Sequence, residues 1–462
     1  SGVSYIGGYQ GSPVSHLLDV MVDSSALLDE LGVHLETPTN EAAAAAMLAA
    51  SINYPMRGAV TWKSVVGTNV ASDALSNLSS AGVIGGALVV IGEDYGEGAS
   101  IIQERSHAFA MKSSMCLLDP RPNLTSIVDT VEKSFELSEA SNMPVMLQLR
   151  IRACHVSGRF TARDNREPNV SRKQLLTEPD FNIDRFCLPP ATYAQEKHKI
   201  EHRLPAAERF VAENKLNEVF EGDLSDVGII TMGGLYNGVV RALERVGLSD
   251  IYGACRIPIY VMNVTYPMVT KEIQDFCANK KSVLVVEEGY PDFIEQAINV
   301  ALRKADLQTT VFGKGMLPKV GEYTADIVLD GVEQFLKTVA FDALEGTVPV
   351  HVAQGVEALK ERASDLLGTP VPTRPPSFCT GCPERPVFSA MKIVEKEFGP
   401  THIAADVGCH TFSALPPFNL GNTMVGYGLG LASSAGVGPN FGKRVISVMG
   451  DGGFWHNGIS SG

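Results

Sequence analysis

Short apolar runs alternate with longer amphipathic stretches from the first residues onward. The pattern predicts strands at residues 3–8, 33–36, 58–61, 86–91 and 144–149, and helices at 15–31, 41–51 and 71–81. Ala87-Leu88-Val89-Val90-Ile91 shows no polar alternation, the mark of a strand covered on both faces. Asn40 stands where an N-cap belongs, ahead of the Ala-rich segment. Strand–helix alternation with short links predicts a mainly parallel sheet with helices on both faces.

The pattern changes over residues 156–221, where Arg, Asp, Asn, Glu and Pro are dense. An extended connector is expected, then a charged helical stretch near 191–216 with a break at Pro205. Lys197-His198-Lys199 within it reads as a solvated face. A second α/β unit follows, with strands at 227–231, 258–263 and 282–287 and helices at 236–246, 271–277 and 291–304. Pro370, Pro372, Pro375 and Pro376 mark a linker. A third unit is expected to hold a helix at 385–398, a strand at 401–405, a Gly/Ala/Ser-rich helix at 424–436 and a last strand at 445–449. The division is thus 1–155, a connector 156–221, 222–345, a helix and linker 346–377, and 378–462.

Composition narrows the class. The chain is 45% hydrophobic and 19% charged, with 44 Gly and few aromatics, which suits stacked α/β layers. A net charge of −14 argues against a nucleic-acid footprint or a polybasic membrane surface. Apolar runs of the ~20 residues a spanning helix needs are absent from the sequence. Eight cysteines are too few for a disulfide scaffold in a chain this long, so a reducing cytoplasm is expected. The opening residues lack a signal-peptide pattern and read as a strand entered mid-domain, so an earlier natural start is expected.

Five short stretches carry candidate chemistry. Gly450-Asp451-Gly452 follows a predicted strand. Small residues there let backbone N–H groups approach phosphates, and Asp is a hard oxygen ligand for Mg²⁺; a plain turn with Asp as cap is the alternative. Cys379-Thr380-Gly381-Cys382, with Cys409 in Asp406-Val407-Gly408-Cys409-His410, offers three soft ligands for zinc or iron–sulfur, or else buried unligated thiols. Glu41 opens the Ala-rich helix, either as a favourable charge at a helix start or as a buried acid gripping a heterocycle's ring nitrogen. Thr61-Trp62-Lys63 leads from a strand end, where ligands of parallel sheets sit, or forms a surface loop. Glu287-Glu288-Gly289 is either an acid pair or a helix cap facing an interface.

Taken in order, these stretches resemble the α subunit of indolepyruvate:ferredoxin oxidoreductase, in the thiamine-diphosphate-dependent 2-oxoacid:ferredoxin oxidoreductase superfamily. The matching segments include GGYQGSPVSHLLDVM, ETPTNEAAAAAMLAAS, RGAVTWKSVVGTNVASDAL, GALVVIGEDYGEGASIIQERSHAFA, SVLVVEEGYPDFIEQ, FCTGCPERPVFSAMK, ADVGCHTF and VMGDGGFWHNGI. The resemblance implies an α/β, multidomain thiamine-diphosphate-binding fold: a pyrimidine-type domain first, a transketolase-C-like domain between, and a diphosphate-type domain last. It implies oxidative decarboxylation of an aryl 2-oxoacid with coenzyme A to aryl-acetyl-CoA and CO₂. Electrons would pass through iron–sulfur clusters to ferredoxin or a similar acceptor.

By that resemblance Glu41 bonds the thiamine ring nitrogen, and Gly450, Asp451 and Gly452 hold diphosphate and Mg²⁺. Lys63, Thr68, Asn69 and Gly11-Ser12-Pro13 line the cofactor or substrate side, Lys63 as a catalytic residue, and Cys409 and His410 also face the cofactor. Cys379, Cys382 and Cys409 are candidate [4Fe–4S] ligands by analogy with related oxidoreductases, whereas the indolepyruvate branch usually carries its clusters in a C-terminal segment. A smaller partner subunit and a dimer of heterodimers are implied, since a pyrimidine-type domain leaves its cleft open to another domain. Two departures stand out. Glu384 follows the CxxCP where the family usually has His, and the second metal ligand, an Asn, has no place between Gly453 and Gly462, Asn457 being too close. A continuation past Gly462 is therefore expected. A non-oxidative thiamine-diphosphate decarboxylase or carboligase, and a catalytically silent assembly subunit, are the rival readings.

Overall fold

The structure is a computed structural model describing residues 1–96, 102–339, 355–369 and 376–462. They fall into two compact units, Ser1–Asp365 and Leu366–Gly462.

Twelve strands among the described residues of the first unit build two sheets. They are β1 (Val3–Gly8), β2 (His34–Glu36), β3 (Arg57–Lys63), β4 (Ala87–Gly92), β5 (Cys116–Leu118), β6 (Val145–Leu149), β7 (Glu218–Phe220), β8 (Val227–Met232), β9 (Ile259–Met262), β10 (Val264–Tyr266), β11 (Ser282–Val286) and β12 (Thr310–Phe312). The first sheet has the order β10-β5-β6-β4-β3-β1-β2 and is parallel apart from β10. The second has the order β12-β11-β8-β9-β7 and is parallel apart from β7. Every residue of β4, β8 and β11 is buried, as expected of apolar strands flanked on both sides in a parallel sheet. The β3–β4 register sets Lys63 opposite Gly92, so the residues after both strands share one carboxyl edge.

The periodicity located the strands better than the helix lengths. The expected helix 15–31 divides into Ser15–Asp23 and Ser25–Leu31, with Ser24 at the junction near φ −92°, ψ 15°. The expected helix 41–51 stops at Met47 and resumes as Ala50–Asn53. The longest helix among the described residues, Leu124–Ser141, had no predicted counterpart: Ser134, Ser138 and Ser141 share its buried face with Phe135 and Leu137 and interrupt the apolar stripe. Pro205 does not break the charged helical stretch. The chain widens into a π turn over Lys199–Arg203, and Pro205 falls in the first turn of Leu204–Glu213, where its missing N–H costs little.

The region expected as a plain connector also joins the core. Ala207 and Val211 pack with Phe135 and Leu147 against the first sheet, and β7 edges the second. Upstream it forms a strap. Arg163 reaches Asp129 and Glu132, Arg172 N–H reaches Gly32 O at 2.9 Å, and Arg185 reaches Ile52 O at 3.0 Å. Gly32 and Ile52 lie shortly before β2 and β3, so the strap crosses the amino ends of those strands and leaves their carboxyl ends open. Of the expected helix and linker, residues 346–354 and 370–375 lie outside the described residues; the helix Gly355–Leu367 lies between.

The second unit carries a three-stranded parallel sheet in the order β14-β13-β15, where β13 is Ile403–Ala405, β14 is Thr423–Met424 and β15 is Ile446–Val448. Phe388, Ile403, Phe418 and Leu420 form its core. The helix expected at 424–436 is confined to Gly430–Ser434. Gly426 and Gly428 take φ of 66° and 77°, conformations that end a helix rather than extend one. All eight cysteines are free thiols, and no helix among the described residues is long and apolar enough to cross a membrane.

Candidate functional site

In the first unit the candidate residues gather at the carboxyl ends of β1, β3 and β4. Tyr9 N–H bonds Thr61 O at 2.9 Å, which lays the Gly11-Ser12-Pro13 loop on the end of β3. Lys63 Nζ donates to Ser12 O at 2.8 Å and stands 3.7 Å from Asp94 Oδ2. Burial lowers the Lys63 pKa and raises that of Asp94, and each opposes the shift of the other through their charges. Asp94 Oδ1 accepts Ile151 N–H at 2.9 Å, while Oδ2 has no hydrogen-bond partner among the described residues. A cavity of about 260 Å³ opens beside it, lined by Tyr95, Gly96, Arg150, Gly234 and Glu322 among others.

Glu41 is 4% exposed, although it opens a helix. Asn40 performs the capping, accepting Ala43 N–H at 2.9 Å, so capping does not account for the burial of Glu41. Above it lies Gly67, in the short helix Val66–Val70. A Cβ at Gly67 would stand 2.5 Å from Trp62 Cδ1 and 2.8 Å from Glu41 Cγ, so only glycine lets that turn close over the acid. Trp62 is fully buried and its Nε1 donates to Thr68 Oγ1 at 3.2 Å. Thr68 Oγ1 meets Ser64 Oγ at 2.9 Å, and Ser64 meets Ser106 in a short hydroxyl contact. Ser106 N–H then donates to Glu93 at 2.9 Å. The structure thus brings Glu41, Trp62 and Thr68 together around Gly67, and Lys63 together with Ser12. Asn69 stands apart: it is exposed, and its amide donates to Glu104 at 3.1 Å.

Glu287 and Glu288 hold the seam between the two sheets. Glu287 accepts Arg105 Nη1 at 2.6 Å and caps the helix Phe293–Lys304 through Ile294 N–H and Glu295 N–H. Glu288 pairs with Arg150, which also pairs with Asp119 at 3.0 Å. Of the two readings of that acid pair, the cap facing an interface is the one this geometry fits.

In the second unit β13 is followed directly by Asp406, which is fully buried. Its carboxylate accepts Gly428 N–H at 2.8 Å and Gly450 N–H at 3.4 Å, and lies 2.7 Å from His410 Nε2. Burial acts to lower the His410 pKa, but Asp406 and the nearby Glu384 outweigh it and hold the imidazole above its ordinary value. Glu384 Oε2, where the family resemblance leads one to expect His, is buried without a hydrogen-bond partner among the described residues. Asp451 follows β15 with its side chain exposed, and its Oδ1 accepts Gly452 N–H at 2.9 Å. Asn457 is committed nearby, donating to His456 Nδ1 at 2.8 Å and to Tyr427 O at 3.2 Å.

Cys379 and Cys382 share one turn through Cys382 N–H and Cys379 O at 3.1 Å. Cys379 and Cys409 are exposed and Cys382 half-buried. No group of three or more His, Cys, Asp or Glu among the described residues converges in a metal-holding arrangement, so the three cysteines are not gathered into a cluster site here. The spacing expressed a capacity for ligation; the fold does not bring the thiols together.

Sequence reasoning passed over Asp94, Gly67 and the organising role of Asp406. Gly67 was legible as an isolated glycine after a strand end. Asp406 was visible as an acid closing an apolar strand, but its contacts to Gly428 and Gly450 are long-range and carry no local signal.

No family model matches the chain. The indolepyruvate oxidoreductase subunit IorA of Methanothermobacter thermautotrophicus is 30% identical over 468 residues, covering 99% of this chain and 69% of the relative. The same subunit of Archaeoglobus fulgidus is 27% identical over 462 residues, covering 99% and 69%. Among solved structures, the 2-oxoglutarate:ferredoxin oxidoreductase of Magnetococcus marinus, with 2-oxoglutarate, coenzyme A and succinyl-CoA bound, aligns with a TM-score of 0.50 at 17% identity, covering 72% of this chain and 62% of that one. That likeness bears on the fold, which is the α/β thiamine-diphosphate-binding fold the motifs implied.

Proposed function

The chain belongs to the indolepyruvate oxidoreductase IorA family, and from that membership we propose that it is the thiamine-diphosphate-binding subunit of an enzyme that oxidatively decarboxylates an aryl 2-oxoacid to an acyl-CoA. The observation that carries the reading is Glu41, a carboxylate held 4% exposed beneath Gly67 and beside Trp62 with its capping task taken over by Asn40. A buried acid beneath a glycine turn and beside an indole suits a protonated heterocycle nitrogen better than it suits solvent.

Thiamine diphosphate, when bound, supplies the nucleophilic carbon and electron sink that 2-oxoacid decarboxylation needs. Glu41 would hold its ring nitrogen and favour the protonated form. Trp62, fixed by Thr68 and Ser64, would keep water from that acid. Asp451 would give Mg²⁺ a carboxylate oxygen, and the absence of side chains at Gly450 and Gly452 would let the diphosphate approach the backbone there. The exposure of Asp451 fits a ligand to a hydrated cation. Lys63 would receive the substrate carboxylate. The ungathered thiols of Cys379, Cys382 and Cys409 do not fit a cluster, so electron transfer is assigned to iron–sulfur centres elsewhere in the assembled enzyme, with ferredoxin or a similar acceptor beyond them. The relatives are named as subunits, which supports a smaller partner chain. A cytoplasmic dimer of heterodimers completes the reading.

The test is acceptor reduction by the assembled enzyme. Arylpyruvates with coenzyme A should reduce a viologen dye only when thiamine diphosphate and Mg²⁺ are present, with formation of acyl-CoA. Release of CO₂ and aldehyde with no acceptor reduction would overturn the oxidative reading.

A further inference from the structure

We propose that Asp94 is a positioning residue that keeps the Lys63 ammonium charged and aimed for the carboxylate of an incoming 2-oxoacid. The proposal rests on the reading of Lys63 as the substrate-side cation.

The two residues come from neighbouring parallel strands. Lys63 ends β3 opposite Gly92, and Asp94 follows Gly92 by two positions, so both side chains arise at one carboxyl edge. Their exposures differ: the Asp94 side chain is 2% exposed and that of Lys63 is 18% exposed. The acid is therefore the fixed member and the amine the one that can meet solvent or substrate. Asp94 is anchored through Oδ1 by Ile151 N–H, which leaves Oδ2 turned toward Lys63 without a hydrogen bond of its own. At 3.7 Å the contact is an ion pair too long for a hydrogen bond. Of the three ammonium donors, one is spent on Ser12 O at 2.8 Å. Among the described residues the others have no short partner, an arrangement suited to accepting an anion.

A buried carboxylate with one oxygen unbonded is unfavourable unless a cation compensates it. Conversely, burial alone would favour a neutral amine at Lys63, and Asp94 is the charge that opposes this. Glu322 adds negative charge near Asp94, and Glu93, Arg150 and Arg152 line the cavity beside it. Arg150 is committed to Asp119 and Glu288, and Arg152 to Glu322, which among the described residues leaves Lys63 as the cation at Asp94. A monoanionic 2-oxoacid would replace the loose Asp94 contact with a short charge-assisted bond to an ammonium already in place.

The experiment is the pH profile of kcat/KM for the 2-oxoacid, measured on the assembled holoenzyme with Asp94→Asn, Asp94→Glu and Lys63→Met. Asp94→Asn keeps an acceptor for Ile151 N–H but removes the charge that raises the Lys63 pKa. The alkaline limb, where the ammonium is lost, should then move to lower pH by about one unit or more. Asp94→Glu should return the limb toward its wild-type position, and Asp94→Ser repeats the test if the Asn variant folds poorly. An unmoved limb in the Asn and Ser variants, with KM raised in Lys63→Met, overturns the role of Asp94 alone. A wild-type KM in Lys63→Met overturns the reading of Lys63 and the proposal with it.

Discussion

Replacing His107 by Phe should make the first unit less sensitive to acid. His107 lies in the helix Ser106–Ser113 and is 4% exposed. Its ring stacks on Phe293 with centroids 5.5 Å apart and meets Tyr266 edge-on at 6.4 Å, so it sits in the seam between the two sheets. Its Nδ1 has no hydrogen-bond partner among the described residues. Burial first, and then the charge of Arg105, push its pKa down from 6.5 to about 3. The folded protein therefore holds a neutral imidazole, while the unfolded chain takes up a proton near pH 6.5. Between those values the unfolded state binds more protons, so stability falls as pH falls. With ~1.36 kcal/mol for each pKa unit, the loss is about 2 kcal/mol at pH 5 and approaches ~4–5 kcal/mol near pH 3. Phe cannot take the proton and keeps an aromatic ring against Phe293. Denaturant unfolding followed by fluorescence of the buried Trp62 at pH 8 and pH 5 measures the difference. The variant should gain about 2 kcal/mol on wild type between the two pH values. An equal wild-type-to-variant difference at both pH values would refute the reasoning, because other carboxylates and histidines titrate in both proteins alike.

Two further outcomes follow from packing and charge. Gly67→Ala forces a methyl group into Trp62 and Glu41, so it should cost ~1–3 kcal/mol in the same unfolding assay and weaken thiamine-diphosphate binding; unchanged stability and affinity would show that the turn over Glu41 is not close-packed. Arg150→Met strands Asp119 and Glu288 as buried carboxylates without their cation and should cost ~3–5 kcal/mol in the same assay; wild-type stability would contradict a charge-held seam.

The apolar runs made the sheets legible because a strand covered on both faces leaves a continuous hydrophobic mark, as at β4, β8 and β11. The Asn40 cap was legible because capping is local. What escaped was non-local. The membership of β10 in the first sheet depends on pairing with β5, nearly 150 residues upstream. The strap over residues 156–190 is held by polar bonds to loop carbonyls and ionic side chains, which leave no periodicity. At the candidate site the strand-end residues Lys63 and Asp451 could be read from position alone. Asp94 could not, because its meaning comes from its register beside Lys63. For the three cysteines, spacing in sequence indicates a capacity for ligation, and among the described residues they are not gathered into one group.

Titration calorimetry of thiamine diphosphate with Mg²⁺ into the full-length protein, in wild-type, Glu41→Gln and Asp451→Ala forms, tests the central claim most directly. The account predicts saturable binding by the wild type, loss of tenfold or more in affinity in Asp451→Ala, and a Glu41→Gln protein that still binds but no longer supports acceptor reduction by arylpyruvates. No binding by the wild type, or full activity in Glu41→Gln, would contradict it.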